Sequence, residues 1–212
     1  MKKKIEFLPD GIQDWYTNLI SPATNFFIKR GVNPNFFTTV GLIVSIFTTY
    51  IFASGHLRLG GALILLGGTF DMLDGKVARA TNRVTKFGAL YDSTLDRYSE
   101  VMIFFGLAYY FNFVDRELII AGVDVPLIMV FIISVALGGS IMTSYVRARA
   151  EGLGLECKVG AMQRPERVVY LGFGAVFHIY TLVLALILIA ILSNATAIHR
   201  LYFVWKTEKK QL

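Results

Sequence analysis

"DMLDGKVARATNRVTKFGALYDSTLD", residues 71–96, sets Asp71, Asp74, Asp92 and Asp96 between two apolar stretches, "LRLGGALILLGGTF" (57–70) and "VMIFFGLAYYFNF" (101–113). The apolar stretches read as the outer parts of two membrane helices, and the acids lie at the ends that face each other across "ATNRVTKF". A carboxylate near a bilayer is costly to hold and is normally there for function. The fold and the chemistry both turn on what these four acids hold.

Composition agrees with a membrane setting. Of the 212 residues, 55% are hydrophobic and 14% aromatic, above the roughly 45–50% apolar content of soluble domains. Taking about 20 mostly apolar residues per crossing, six spans are expected, at roughly 37–54, 57–78, 88–112, 126–148, 166–185 and 182–204. The last two share a turn near His178. The predicted fold class is all-α: a polytopic membrane protein with six transmembrane helices preceded by an amphipathic interfacial helix, in a single domain over 1–212. Gly60, Gly61, Gly67, Gly68, Gly138 and Gly139 offer small surfaces for close helix contact.

The interfacial segment covers about residues 8–30. Within "PDGIQDWYTNLI", Ile12, Trp15, Tyr16 and Leu19 share one helical face, and Asp10 with Gln13 fits a capping box. The start, "MKKKIEFLPDG", has charge but no apolar h-region and does not read as a signal peptide. Cys157 is the single cysteine, which excludes an internal disulfide and points to a small buried or interfacial role.

Six spans put both termini and the 79–87 and 149–165 loops on one side, leaving only Arg58 and Arg116 on the other. Basic loops stay in the cytosol. The termini and the aspartates are therefore expected at the cytosolic face of the cell membrane. The net charge of +6 gathers on that face, where anionic lipid and phosphate substrates explain it better than nucleic acid.

Asp71 and Asp74 are three apart and Asp92 and Asp96 four apart, so each pair projects from one helix face. A short loop should make the two helices antiparallel neighbours, with all four carboxylates at one mouth. Without a counter-charge they would repel strongly, and divalent cations remove that problem. Oxygen-only ligands suit Mg²⁺ or Mn²⁺, and two ions suit phosphoryl chemistry. Gly75, Ala78 and Gly88 leave room for a bulky ligand, and Arg79 brings a forked donor suited to phosphate. His56, His178 and His199 lie far from the cluster and read as structural or interfacial.

Spaced as D-x2-D-G-x2-A-R-x8-G-x3-D-x3-D, Asp71 through Asp96 resemble the signature of the CDP-alcohol phosphotransferase family at every position. The resemblance implies that Asp71, Asp74 and Asp92 bind metal, with Asp96 a shared ligand and the general base. It implies that Gly75, Ala78, Arg79 and Gly88, with Asp74, surround the CDP group. "NPNFFT" resembles the family's second nucleotide-side motif and adds Asn35 and Thr38, beside Pro34, at the start of the first span. The implied donor is a CDP-linked lipid (CDP-diacylglycerol or an ether analogue), attacked by an acceptor hydroxyl with release of CMP. A homodimer is also implied.

A second stretch, "SYVRARAEGLGLECKVGAMQRPERVV" (144–169), gathers Ser144, Arg147, Arg149, Lys158, Arg164 and Arg167 about one basic loop. So many cations facing a metal site point to an acceptor that is itself anionic, such as a phosphate. The wording S-Y-x-x-A-R-A-E-G followed by R-P-E-R resembles the phosphatidylinositol-phosphate synthase branch, whose acceptor is inositol 1-phosphate. That resemblance implies Ser144, Arg147, Arg164 and Arg167 as the phosphate-binding residues, with Arg147 where lysine often stands in the branch. Glycerol 3-phosphate is the alternative acceptor. A divalent-cation transporter is the remaining alternative; it would place acids along both halves of the spans, and here they keep to one edge.

Overall fold

A computed structural model describes residues 10–115, 119–120 and 123–209. Among the described residues there are seven α-helices: α1 (Asp10–Lys29), α2 (Pro34–Ala53), α3 (Leu57–Ala80), α4 (Lys86–Tyr109), α5 (Val125–Gly152), α6 (Arg164–Phe177) and α7 (Ile179–Glu208). A π-helical turn, Tyr110–Val114, extends α4. In the α4–α5 connection Ile119–Ile120 pairs with Val123–Asp124 in a two-residue antiparallel ladder.

Local chemistry sets the helix starts. Asn33 caps α2, its side chain accepting from the Asn35 N–H at 3.0 Å, with Pro34 in the first turn where a missing N–H costs nothing. Thr85 caps α4 by accepting from the Gly88 N–H at 2.9 Å. A capping box between Gln163 and Glu166 starts α6. His178 ends α6 in an extended conformation, and its ring accepts from the Tyr180 N–H to begin α7. The overlapping spans expected over 166–185 and 182–204 are thus corrected to two helices broken at this one residue.

The helices close into a ring. α2 packs on both α3 and α4, α4 meets α5, α5 lies along α7, and α6 fits between α7 and α3. Phe52, Phe104, Leu107, Phe111, Met129, Leu182 and Leu186 fill the interior. Small residues decide where backbones touch. A Cβ at Gly61 would lie 2.6 Å from the Gly172 carbonyl, which holds α3 against α6, whereas Gly138 faces open space and its neighbour Gly139 meets Asn194 of α7.

One expectation changes here: α3 and α4 do not lie along each other as neighbours. Each packs along α2, and the five residues between them, 81–85, are long enough to splay them apart.

α2, α5 and α7 are long and apolar enough to cross a membrane, among the described residues. Their outer faces expose Ile43, Phe47, Leu127, Phe131, Leu184 and Ile191, as a lipid-facing surface requires. α3 and α4 carry the aspartates. α6, with 14 residues, is roughly 21 Å long, short of the ~30 Å hydrocarbon core. α1 docks on α2 and α3 through Phe27, whose ring meets that of Phe37 edge-on at 4.9 Å. Leu19 stays exposed. The side chains of Asp10, Ile12, Gln13, Trp15 and Tyr16, the residues 1–9 and Arg116 lie outside the described residues.

Candidate active site

The site forms where the second half of α3, the first half of α4, the start of α2 and the start of α6 meet. α2 contributes first. Thr38 is buried, and its hydroxyl donates to Asp74 Oδ2 at 2.9 Å. Next to it Thr39 shares a 3.0 Å hydrogen bond with Tyr91 on α4. These two contacts tie α2 to both acidic helices and place Asn35 beside Gly88, its Oδ1 only 3.4 Å from where a Gly88 Cβ would stand. On α3 the Arg79 guanidinium folds back over Gly75, where a Cβ would meet Nη1 at 3.2 Å. Asn35, Thr38, Asp74, Gly75, Arg79 and Gly88 therefore belong to one neighbourhood, which also takes in Ala78 on the same turn of α3.

Asp71, Asp74 and Asp92 lie close enough for their charges to repel one another. Their environment differs from the expectation in one respect: a counter-charge is present. Arg164, at the first position of α6, reaches across the mouth and donates through Nη1 to Asp71 Oδ2 and, at 2.8 Å, to Asp96 Oδ1. Arg97 adds a second cation 3.7 Å from Asp96 Oδ2. Among the described residues no three acidic, histidine or cysteine side chains are drawn together tightly enough to hold a metal ion as they stand. The donor chemistry nonetheless fits a hard divalent cation. All the donors are carboxylate oxygens, and Asp71 and Asp96 already share one positive charge, that of Arg164.

The other basic residues are less alike than their sequence run implies. Ser144 and Arg147 lie on the last turns of α5, and Arg147 pairs with Glu151 at 2.9 Å, half exposed. Arg149 and Lys158 are exposed. Arg167 is already paired: it is 1% exposed and grips Glu100 on α4 with Nε to Oε1 at 2.6 Å and Nη2 to Oε2 at 3.1 Å.

Two residues escaped the sequence reading. Glu100 continues the acidic stripe of Asp92 and Asp96 at the same four-residue interval. Arg200, beyond the apolar first half of α7, donates to the Thr143 and Val159 carbonyls at 2.5 and 2.7 Å and so holds the 153–163 loop against α5. An intramembrane charge is the signal that could have flagged both. Cys157 is buried, its thiol against the Arg200 carbonyl, and His178 is a helix cap, as a structural reading of each requires.

The CDP-alcohol phosphatidyltransferase family pattern matches residues 32–207. The chain belongs to that family. Family membership makes the protein an enzyme, a CDP-alcohol phosphatidyltransferase, associated with membranes. Among the relatives, the archaetidylinositol phosphate synthase of Methanothermobacter thermautotrophicus is 35% identical, over 95% of this chain and 100% of its own length. The phosphatidylinositol phosphate synthase of Mycobacteroides abscessus is 30% identical, over 91% of this chain and 86% of its own. Crystal structures of the phosphatidylinositol phosphate synthase of Mycobacterium tuberculosis are 32% identical. The one with CDP-DAG bound superposes with a TM-score of 0.76 over 89% of this chain and 94% of that one. The one in complex with manganese and citrate superposes with a TM-score of 0.75, over 87% and 88%.

Proposed function

We propose that this CDP-alcohol phosphatidyltransferase transfers the phosphatidyl group of a CDP-linked lipid, CDP-diacylglycerol or an ether analogue, to inositol 1-phosphate, releasing CMP. The observation that carries this reading is the reach of Arg164. It belongs to the R-P-E-R stretch of the basic acceptor motif, yet its guanidinium sits between Asp71 and Asp96 of the CDP motif. A phosphate held by that arginine would stand beside the reacting carboxylates. The synthase names of the relatives support the same acceptor.

In this reading Asp71, Asp74, Asp92 and Asp96 hold divalent cations, two of Mg²⁺ or Mn²⁺. When bound, the cations supply the positive charge that steadies the pyrophosphate and the transferring phosphoryl oxygens. The chain's own residues do the rest. Thr38 orients the Asp74 carboxylate, while Asn35, Gly75, Ala78, Arg79 and Gly88 surround the CDP group. Ser144, Arg147 and Arg164 meet the acceptor phosphate. Asp96 takes the proton of the attacking acceptor hydroxyl.

The polar acceptor must enter from water while the acyl chains of the donor stay in lipid. That requires the site to lie at a membrane surface. Basic-residue placement supports the cytosolic face of the cell membrane, with α2 to α7 embedded there as one domain, the short α6 crossing only part of the hydrocarbon core, and α1 lying in the interface. The family resemblance supports a homodimer. The decisive experiment is CMP release by purified protein supplied with CDP-diacylglycerol and a panel of acceptors. Inositol 1-phosphate should be used and free inositol or serine should not. Turnover with glycerol 3-phosphate and none with inositol 1-phosphate would refute the acceptor and keep the phosphate pocket.

A further inference from the structure

Glu100 and Arg167 touch neither substrate nor metal in the reaction as described, yet they form the most buried ion pair among the described residues. Glu100 stands one turn beyond Asp96 on α4, and Arg167 stands one turn beyond Arg164 on α6. Two rungs therefore join these helices side by side: Asp96 with Arg164 at 2.8 Å, and Glu100 with Arg167 through two bonds. Close backbone packing does not join them, since α6 packs on α3 and α7. A cavity enclosed by α2, α3, α4 and α6 lies here instead, with Asp71, Ser99, Glu100, Arg164 and Arg167 on its wall. The two arginines bridge α4 and α6 across it.

The lower rung also governs the start of α6. Arg167 Nη1 donates to the Met162 carbonyl at 3.3 Å, and the Met162 N–H donates to Thr196 on α7 at 3.2 Å. Arg164 is two residues beyond Met162, so the guanidinium that Glu100 holds is the one that fixes the turn carrying Arg164. Burying such a pair is rarely more stabilising than packing apolar groups of the same size. Its presence beneath the site calls for a reason of position rather than of stability.

We infer that Glu100 is a positioning residue. Through Arg167 it sets the first turn of α6 against α4, so that the Arg164 guanidinium meets Asp71 and Asp96 and presents its remaining N–H groups to the acceptor. This rests on the proposed role of Arg164 at the acceptor phosphate. The test therefore uses whichever acceptor the wild-type protein turns over, so that a wrong choice of acceptor does not decide it.

The full chain is assayed for CMP release with each substrate varied in turn, beside thermal unfolding of the same samples. Glu100→Gln removes one acceptor oxygen and the charge while keeping the shape. It should raise the acceptor KM about 10-fold, the loss of one charge-assisted bond, and leave the CDP-lipid KM unchanged. In an Arg164→Gln background the same change should add nothing, because residues acting in series are not additive. Glu100→Met with Arg167→Met removes the pair without leaving a buried charge. It should fold like wild type and still show the raised acceptor KM. The inference is overturned if Glu100→Gln only lowers the amount of folded protein with both KM values kept. It is also overturned if its effect adds fully to that of Arg164→Gln, or if the paired methionine variant restores the acceptor KM.

Discussion

Replacing Arg164 with glutamine should make the stability of the protein depend on divalent cations. In the native chain its guanidinium donates to both Asp71 and Asp96, the latter at 2.8 Å. At an effective dielectric of about 20 a contact of that length carries roughly 6 kcal/mol of gross Coulomb attraction. Desolvation cancels most of this, and the net value of a hydrogen bond to a charged group is about 1.5–3 kcal/mol. Losing both bonds, with glutamine recovering part of one, should cost about 3 kcal/mol. For a chain of this size that is a fall in unfolding midpoint of roughly 6–12 °C. Asp71 and Asp96 are then left facing each other and Asp92 without their cation. Mg²⁺ or Mn²⁺ should replace the missing charge and restore most of the midpoint by mass action, whereas wild type should respond less. Thermal unfolding of detergent-solubilised protein in EDTA and in excess Mn²⁺ measures both arms. If the variant melts with wild type in EDTA, the Arg164 bridge does not bear on the fold. If it melts early and Mn²⁺ does nothing, the carboxylates are not a cation site.

Asp92→Asn should abolish CMP release while leaving the unfolding midpoint near wild type, and full activity of the native enzyme in excess EDTA would exclude a metal role. Asp96→Asn should lower kcat far more than it weakens CDP-lipid binding, since a general base acts in the transition state; the reverse pattern in steady-state kinetics would make Asp96 a structural ligand only. Thr38→Val keeps the shape and removes the 2.9 Å bond to Asp74. It should weaken Mn²⁺ affinity about 10- to 100-fold, as loss of a ligand's supporting bond does, and unchanged calorimetric affinity would assign Thr38 to the CDP group alone. Arg147→Gln should leave stability within about 0.5 kcal/mol, because the pair with Glu151 is a half-exposed i,i+4 contact. Its acceptor KM should rise roughly 10-fold or more, and an unchanged KM would remove Arg147 from the pocket.

The sequence by itself determined the all-helical class, the family and the spacing of the acidic motif. Apolar stretches of helical length have few other ways to satisfy their backbone in lipid, and acids three and four apart must share a helix face. The CDP motif is local: Asp71 to Asp96 spans one helix pair and its loop, so spacing alone makes it legible. The break at His178 was only blurred in sequence, because apolar residues continue on both sides and the signal is one backbone conformation. Tertiary structure decided the partners. That α3 and α4 pack on α2 instead of on each other depends on which small surfaces meet, and several glycine-bearing faces compete for that role. Arg164, Arg167 and Arg147 look equivalent in the basic loop, yet one bridges two aspartates, one is sealed against Glu100 and one sits half exposed beside Glu151. Charge is a property of a residue, but its partner is a property of the fold. An ion pair between positions 67 residues apart in the chain is written in no local pattern, only in the geometry that brings α4 and α6 within an arginine's reach.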